Sequence, residues 1–287
     1  MTAVCLFAQF APDGRISESV RHYLAQLRRC GLAVHIALSG CDRVDSGDRD
    51  ILDALGVIAH PRVNEGLDFG AWQYLLRIGC ASDAGFVLLA NDSVFGPVHP
   101  LAPIFADMQA RGHDVWGMVE SHEVAWHLQS WFLCLTAKTL ARPAIARIFA
   151  QDFAAMSKSE IILHGEIGLG AAIRAEALDW GACLPETRVG LRRLVGVNPM
   201  HVDWLTALRS GRVPFVKIEL LRDNPARIPW LGCWPRMLRK HGDFPEAWIS
   251  ERITPTTARA SATSPQMRLL YVLLTRDRVA ALASLLS

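Results

Sequence analysis

The sequence predicts an α/β fold: one domain around a mostly parallel central sheet, followed by an irregular C-terminal extension. Three observations predict it. Continuous apolar runs of strand length occur at residues 3–8, 32–38 and 86–90, the pattern of strands covered on both faces. Segments of helical period separate such runs, and strand–helix–strand order favours parallel pairing. Finally, 287 residues that are 51% hydrophobic and 20% charged suffice for one large core and do not suit a mainly disordered chain.

The elements follow in order. Residues 3–8 form a buried strand that ends in the loop Pro12-Asp13-Gly14. Residues 17–29 form a helix with Val20, Leu24 and Leu27 on its apolar face, stopped by Gly31. A strand follows at 32–38, a polar loop at 42–50, a short helix at 51–55 and a short strand at 56–59. A helix at 69–78 has Asp68 placed to cap it, and the strand 86–90 runs into Asn91-Asp92-Ser93. Next come a helix at 101–110, strands at 115–119 and 127–135, and a helix at 137–153 that Pro143 kinks or shortens. A helix at 166–177 and a strand at 182–184 complete the regular part. Beyond residue 190 the periodicity weakens. Pro, Trp and Arg crowd residues 225–248, which predicts irregular structure packed on the sheet and no second core. Residues 250–265 read as a linker and 269–286 as an appended amphipathic helix. The organisation is thus a domain over 1–249 and an extension over 250–287, without internal repeats.

Composition excludes several classes. A net charge of +2 does not suit a protein that coats nucleic acid. Seven cysteines, none in a CxxC pair, argue for reduced thiols in a cytosol and against a disulfide framework or zinc ribbon. The first residues lack a basic leader and read as a strand, not a signal peptide. The late apolar stretch 267–287 is interrupted by Arg276-Asp277-Arg278, so it makes a poor membrane span.

In open α/β sheets ligands bind beyond the carboxyl ends of the strands, which singles out Asn91-Asp92-Ser93. There Asp92 either holds a hard cation that neutralises phosphate or closes an ordinary Asx turn. The stretch Asn64-Glu65-Gly66-Leu67-Asp68-Phe69-Gly70-Ala71-Trp72 places two glycines about a helix start. That suits phosphate or a plain capped turn, and is neither a Walker loop nor GxGxxG. His122, Glu123 and His127 form HExxxH. Histidines five apart do not share a helix face, so the pattern is a poor zinc-protease motif. Glu166, at a helix start, is either a general base or a carboxylate favoured by the helix dipole. Arg188, Arg192 and Arg193 could meet phosphate or form a solvated face. His201 could be a ligand or a core histidine, and Trp126 and Trp131 could stack on sugar rings or pack the core.

Six segments in order resemble one family. They are 64–72, Leu89-Ala90-Asn91-Asp92-Ser93-Val94-Phe95-Gly96-Pro97, Asp114-Val115-Trp116-Gly117, His127-Leu128-Gln129-Ser130-Trp131-Phe132, Glu166-Ile167-Gly168-Leu169, and 214–225, which begins Pro214-Phe215-Val216-Lys217. Together they resemble the rhamnan synthesis protein F family of bacterial polysaccharide glycosyltransferases over about residues 1–230. The resemblance implies a GT-A-like, Rossmann-type fold and transfer of a sugar, with L-rhamnose as one candidate, from a nucleoside-diphosphate donor. The implied acceptor is a growing surface polysaccharide, O-antigen or lipid-linked glycan. Asn91-Asp92-Ser93 stands where related enzymes carry Asp-x-Asp, although only one Asp is present. By the same resemblance Asn64, Gly66, Asp68, Gly70, Asn91, Asp92 and Ser93 line the donor. Asp92 and His201 hold Mg²⁺ or Mn²⁺, Glu166 is the base of an inverting reaction, and His127, Gln129 and Trp131 contact donor or acceptor sugar. A cytoplasmic protein is implied, possible at the inner face of the plasma membrane, where Arg236, Arg239 and Lys240 could touch anionic lipid. Two other readings stand beside it: a non-catalytic sugar- or nucleotide-binding scaffold, and a metal hydrolase built on His122, Glu123 and His127.

Overall fold

A computed structural model of the chain describes residues 2–229, 231–253 and 264–277. The strands are β1 (Ala3–Phe10), β2 (Ala33–Ser39), β3 (Val57–Arg62), β4 (Phe86–Asn91), β5 (Val94–Phe95), β6 (Val115–Ser121), β7 (His127–Leu128), β8 (Phe132–Thr136), β9 (Trp180–Leu184) and β10 (Val216–Lys217). The main sheet runs β3-β2-β1-β4-β8-β6-β7, with β9 also paired to β6. Strands β1 to β4 are mutually parallel. β8 runs antiparallel between β4 and β6, and β9 is parallel to β6. The α/β class and the mostly parallel sheet therefore stand.

Side-chain alternation along β1 shows why both faces must be covered. Cys5 and Phe7 enter one apolar cluster, with Val20, Leu24 and Leu27 of α1 (Glu18–Arg29). Val4, Leu6 and Ala8 enter the other, with Phe69, Trp72 and Leu75 of α3 (Leu67–Arg77). A strand with no polar face must be sandwiched between helix layers. α2 (Ser46–Leu55) and α4 (Ala102–Arg111) add to the α1 side.

Several elements depart from the sequence expectation, each for a local reason. α2 starts inside the expected loop because Asp45 caps it, its carboxylate accepting from Gly47 N at 3.1 Å. Asp68 is not a cap. Gly66, in the left-handed region, precedes α3 and Asp68 lies in its first turn. The strand expected over 127–135 is broken into β7 and β8 by Gln129-Ser130-Trp131. The helix expected over 137–153 divides into Ala137–Leu140 and Pro143–Phe149, with Pro143 opening the second piece, where its missing N–H is harmless. The helix expected to begin at Glu166 begins at Lys158. It passes through a π-helical turn, Ile161–Ile167, and continues over Gly168–Ala175.

The C-terminal third does have a core. Phe95, Val98, Trp204, Leu208, Leu220, Leu221, Leu238 and Ile249 form a third buried cluster. It was missed because each short helix contributes only a few apolar residues, less than a periodic pattern needs. The helix expected at 269–286 is observed at Pro265–Leu274, and its Tyr271 and Leu274 dock in this cluster. Residues 254–263 of the expected linker and 278–287 of the expected helix lie outside the described residues. All seven cysteines are free thiols. Among the described residues no helix is long and apolar enough to cross a membrane.

Candidate active site

The polar groups converge beyond the carboxyl ends of β1 and β4. At the end of β4 the Asn91 amide is fully used. Its Nδ2 donates to Asp68 Oδ2 at 2.6 Å, and its Oδ1 accepts from Ser93 N and Oγ at 3.1 and 2.7 Å. Asn91 thereby joins the first turn of α3 to the turn after β4. Burial, reinforced by the nearby Asp92 charge, pushes the Asp68 carboxyl up to about 7.

Opposite them stands Lys217. β10 pairs antiparallel with β5, Val216 against Phe95 and Lys217 against Val94. This carries the lysine to the end of β4 from 124 residues away, and its Nζ donates to Ser93 Oγ at 3.4 Å. Gly96, at φ +137, allows the approach, since a Cβ there would lie 2.4 Å from the Pro214 carbonyl oxygen. The ammonium lies over the Trp131 ring, 5.7 Å from its centroid. Burial lowers the lysine's proton affinity, while Glu166, Asp68, Glu219 and Glu123 raise it.

Glu166 is held by the break between β7 and β8. Its Oε1 accepts from Ser130 N at 2.6 Å and from Ser130 Oγ at 2.8 Å. Both bonds fall on one oxygen, which orients the carboxylate and leaves Oε2 unengaged among the described residues. The π-turn adds a residue to the helix just where the carboxylate must reach this turn, a frequent use of such bulges. Glu123, whose carboxyl burial raises, accepts from Asn198 Nδ2 at 3.0 Å. Asn198 in turn accepts from Gln129 Nε2 at 3.0 Å.

Beside this cluster a cleft of about 640 Å³ opens past the end of β1, lined by Gln9, Phe10, Pro12, Asp48 and Arg252 among others. Its size is that of a small-molecule site. The Gln9 Oε1 atom is buried without a hydrogen-bond partner. Arg252 belongs to both places: its Nη2 donates to Asp92 Oδ2 at 2.7 Å. The sequence reading had no access to Arg252 or the cleft, because 160 residues separate the paired side chains.

A family profile described as rhamnan synthesis protein F matches residues 42–275. The chain belongs to the rhamnan synthesis protein F family. The virulence protein VirA of Vibrio anguillarum is 27% identical over an alignment of 200 residues that covers 59% of this chain and 64% of VirA. The chain thus matches slightly under two thirds of that relative's length. Among solved structures, S. aureus TarS 1-349 in complex with UDP-GlcNAc is similar at 12% identity and TM-score 0.40, over 99% of this chain and 89% of that one. HddC from Yersinia pseudotuberculosis gives 11% and 0.38, over 64% and 91%. Likenesses at that level carry no argument about this chain.

Set against the family segments, Asp68, Asn91, Asp92, Ser93 and Glu166 belong to one polar cluster with Lys217. Other expected contacts face the protein instead. A Cβ on Gly66 would lie 2.8 Å from Phe153 Cβ, and one on Gly70 2.3 Å from the Glu65 carbonyl oxygen. These glycines permit a tight turn, because a Cβ at either position would clash. Asn64 is exposed. Trp131 is 2% exposed, its Nε1 donates to Gln129 Oε1 at 2.8 Å, and its ring packs on Phe215, so it supports Lys217 and cannot stack on a sugar. Gln129 is engaged at both ends, and His127 is buried with Nδ1 2.9 Å from the Ala125 oxygen. Arg192 is no solvated arginine: it is buried between Glu186 and Asp203 at 2.9 and 2.7 Å.

The expected cation ligands do not form a cage. The Asp92 carboxylate is already met by the Arg252 guanidinium. His201 keeps a buried Nε2 without a hydrogen-bond partner, and burial lowers its pKa to about 4, so it is a neutral imidazole. Its carboxylate neighbour is Glu219, at 3.7 Å, not Asp92. Among the described residues neither belongs to a cluster of three ligating groups, and nor do His122, Glu123 and His127. The donor set therefore does not fit a hard divalent cation.

Proposed function

We propose that the protein is a glycosyltransferase of bacterial surface polysaccharide synthesis, built on a GT-A-like plan. It moves a sugar, L-rhamnose in the reading the family name favours, from a nucleoside diphosphate to a hydroxyl of a growing glycan or lipid-linked glycan. The observation that carries this reading is the junction of Glu166, Asp68 and Lys217 beyond the carboxyl end of β4, in a chain of this family. Carboxylates accept from sugar hydroxyls, and the Lys217 ammonium, with Arg252 held at Asp92, suits a diphosphate.

In this reading the base and nucleotide lie in the cleft past β1, where Gln9 Oε1 offers an acceptor. The diphosphate lies between Arg252 and Lys217. Glu166, fixed through Oε1 by Ser130, takes the acceptor hydroxyl's proton on Oε2. The acceptor oxygen then attacks the anomeric carbon opposite the leaving group, and configuration inverts. Charge develops on the departing diphosphate and is met by Lys217 and Arg252, preorganised on β10 and beyond the helix Glu246–Ser250. No step depends on a metal ion. An acceptor carried on lipid would bring the protein to the inner face of the membrane, with Arg236 and Lys240 of the helix Trp234–His241 toward it.

The test is transfer and hydrolysis against a panel of nucleoside-diphosphate sugars, with Mn²⁺ and with chelator. One donor is expected to be turned over in both conditions. Glu166→Gln is expected to lower kcat by about 10²-fold or more with little change in donor affinity. A wild-type protein that binds a donor and never releases its diphosphate would make the non-catalytic scaffold the better reading.

A further inference from the structure

On the face of the sheet that α3 covers, well away from Glu166 in the sequence, three ligating side chains meet. His35 stands on β2 and His60 on the edge strand β3. The register pairs Ala37 with His60, so the two histidines are diagonal neighbours on one face. Cys80 comes from the turn that follows α3. His35 Nδ1 is 3.1 Å from His60 Nε2, and that same Nε2 is 3.7 Å from Cys80 Sγ. All three ligating atoms lie within 4.8 Å of one another, the one such group among the described residues. We propose that His35, His60 and Cys80 form a binding site for a borderline-soft divalent cation, of which Zn²⁺ is the type.

The geometry favours a shared ion over a chance contact. Tetrahedral zinc with its usual bond lengths sets two ligating nitrogens about 3.4 Å apart, and a nitrogen and a sulfur about 3.6 Å apart. The observed 3.1 and 3.7 Å need shifts of a few tenths of an ångström. Two imidazoles and one thiol are a borderline-soft set that selects zinc over magnesium or calcium. All three residues are half-buried, so an ion can enter and a fourth position stays open to water. Burial lowers both imidazoles, and the neighbouring His35 lowers His60 further. A lowered proton affinity favours the neutral imidazole that can ligate. Burial raises the Cys80 thiol, so binding must displace its proton: Cys80–SH and M²⁺ give Cys80–S–M⁺ and H⁺. The bound ion would fasten the C-terminal end of α3 to the unpaired edge of the sheet. It is independent of the glycosyltransferase reading and places no metal at the reacting atoms.

The test uses the full chain, stripped with chelator and titrated with Co²⁺ at neutral pH. The expected result is a near-ultraviolet sulfur-to-cobalt band that saturates at one equivalent, is bleached by Zn²⁺ and accompanies release of one proton per ion. The band should vanish in Cys80→Ser, weaken at least tenfold in affinity in His60→Ala, and persist in Cys41→Ser, which removes another half-buried thiol. Zn²⁺ should raise the melting temperature of the wild type and not of Cys80→Ser. Absence of the band, or an equal band in Cys80→Ser, would overturn the site and leave a hydrogen-bonded trio. Near-ultraviolet circular dichroism of the metal-free variants separates lost ligation from lost fold.

Discussion

Around Asp203 the buried charges are matched, while around Lys217 they are not. Asp203 and Glu186 face Arg192 and Arg276, two carboxylates to two guanidiniums, at 2.7 to 3.8 Å. Arg276 N also donates to Asp203 Oδ1 at 2.8 Å. Lys217 stands alone near four carboxylates, those of Glu166, Asp68, Glu219 and Glu123. Among the described residues it makes no direct ion pair with any of them, and it donates to Ser93 Oγ. A charge-matched buried network costs much to break. An unsaturated one keeps acceptors and a donor in reserve, the condition of a binding site. The same side-chain types thus serve as architecture in one place and, in the proposed function, as chemistry in the other.

The contrast can be broken from either side. The largest expected effect is on the matched cluster. Asp203→Asn leaves two guanidiniums without their shared carboxylate and should cost about 3 to 5 kcal/mol of stability, read as a shift in urea midpoint. An unchanged midpoint would show that the network is not structural. Next is Lys217→Met, which keeps the stem on Trp131 and removes the charge. Transfer should fall by about 10²-fold or more while the melting temperature holds or rises. A large loss of stability would place Lys217 with the architecture. A third effect is the pH slope that Asp68 contributes. Its folded pKa, about 7, lies above the ordinary carboxylate value. Between the two the folded protein holds a proton the unfolded chain has released, so stability falls as pH rises through that window. Asp68→Asn should flatten the slope and gain on the wild type from pH 5 to pH 8. Parallel midpoint curves would remove Asp68 from the account.

Local patterns made the first half of the molecule legible. β1 and β4 are almost wholly apolar runs, and α1 carries a clear stripe. Asn91-Asp92-Ser93 and Glu166 were found because they stand at positions where strands end or a family segment recurs. The misreadings have one physical source: side chains were assigned by neighbours in sequence, and their partners are distant. Asp68 looked like a cap and instead holds Asn91, 23 residues on. Trp131 looked like a sugar platform and is buried under Lys217. Lys217 lay in a quoted segment without a role, since only the β5–β10 pairing shows what it faces. For Arg192 the sequence leaves phosphate and a solvated face open, because its partners Glu186 and Asp203 give no periodic signal.

The Asp92–Arg252 pair also has a history within each molecule's own making. The two residues are 160 positions apart, and chains are synthesised at about 5–20 residues per second. For roughly 8 to 32 s, then, Asp92 is part of the growing chain while the arginine that answers it has yet to be joined. The Asp92 carboxylate is thus made early and answered late, so a nascent chain carries a carboxylate that the finished protein pairs with Arg252.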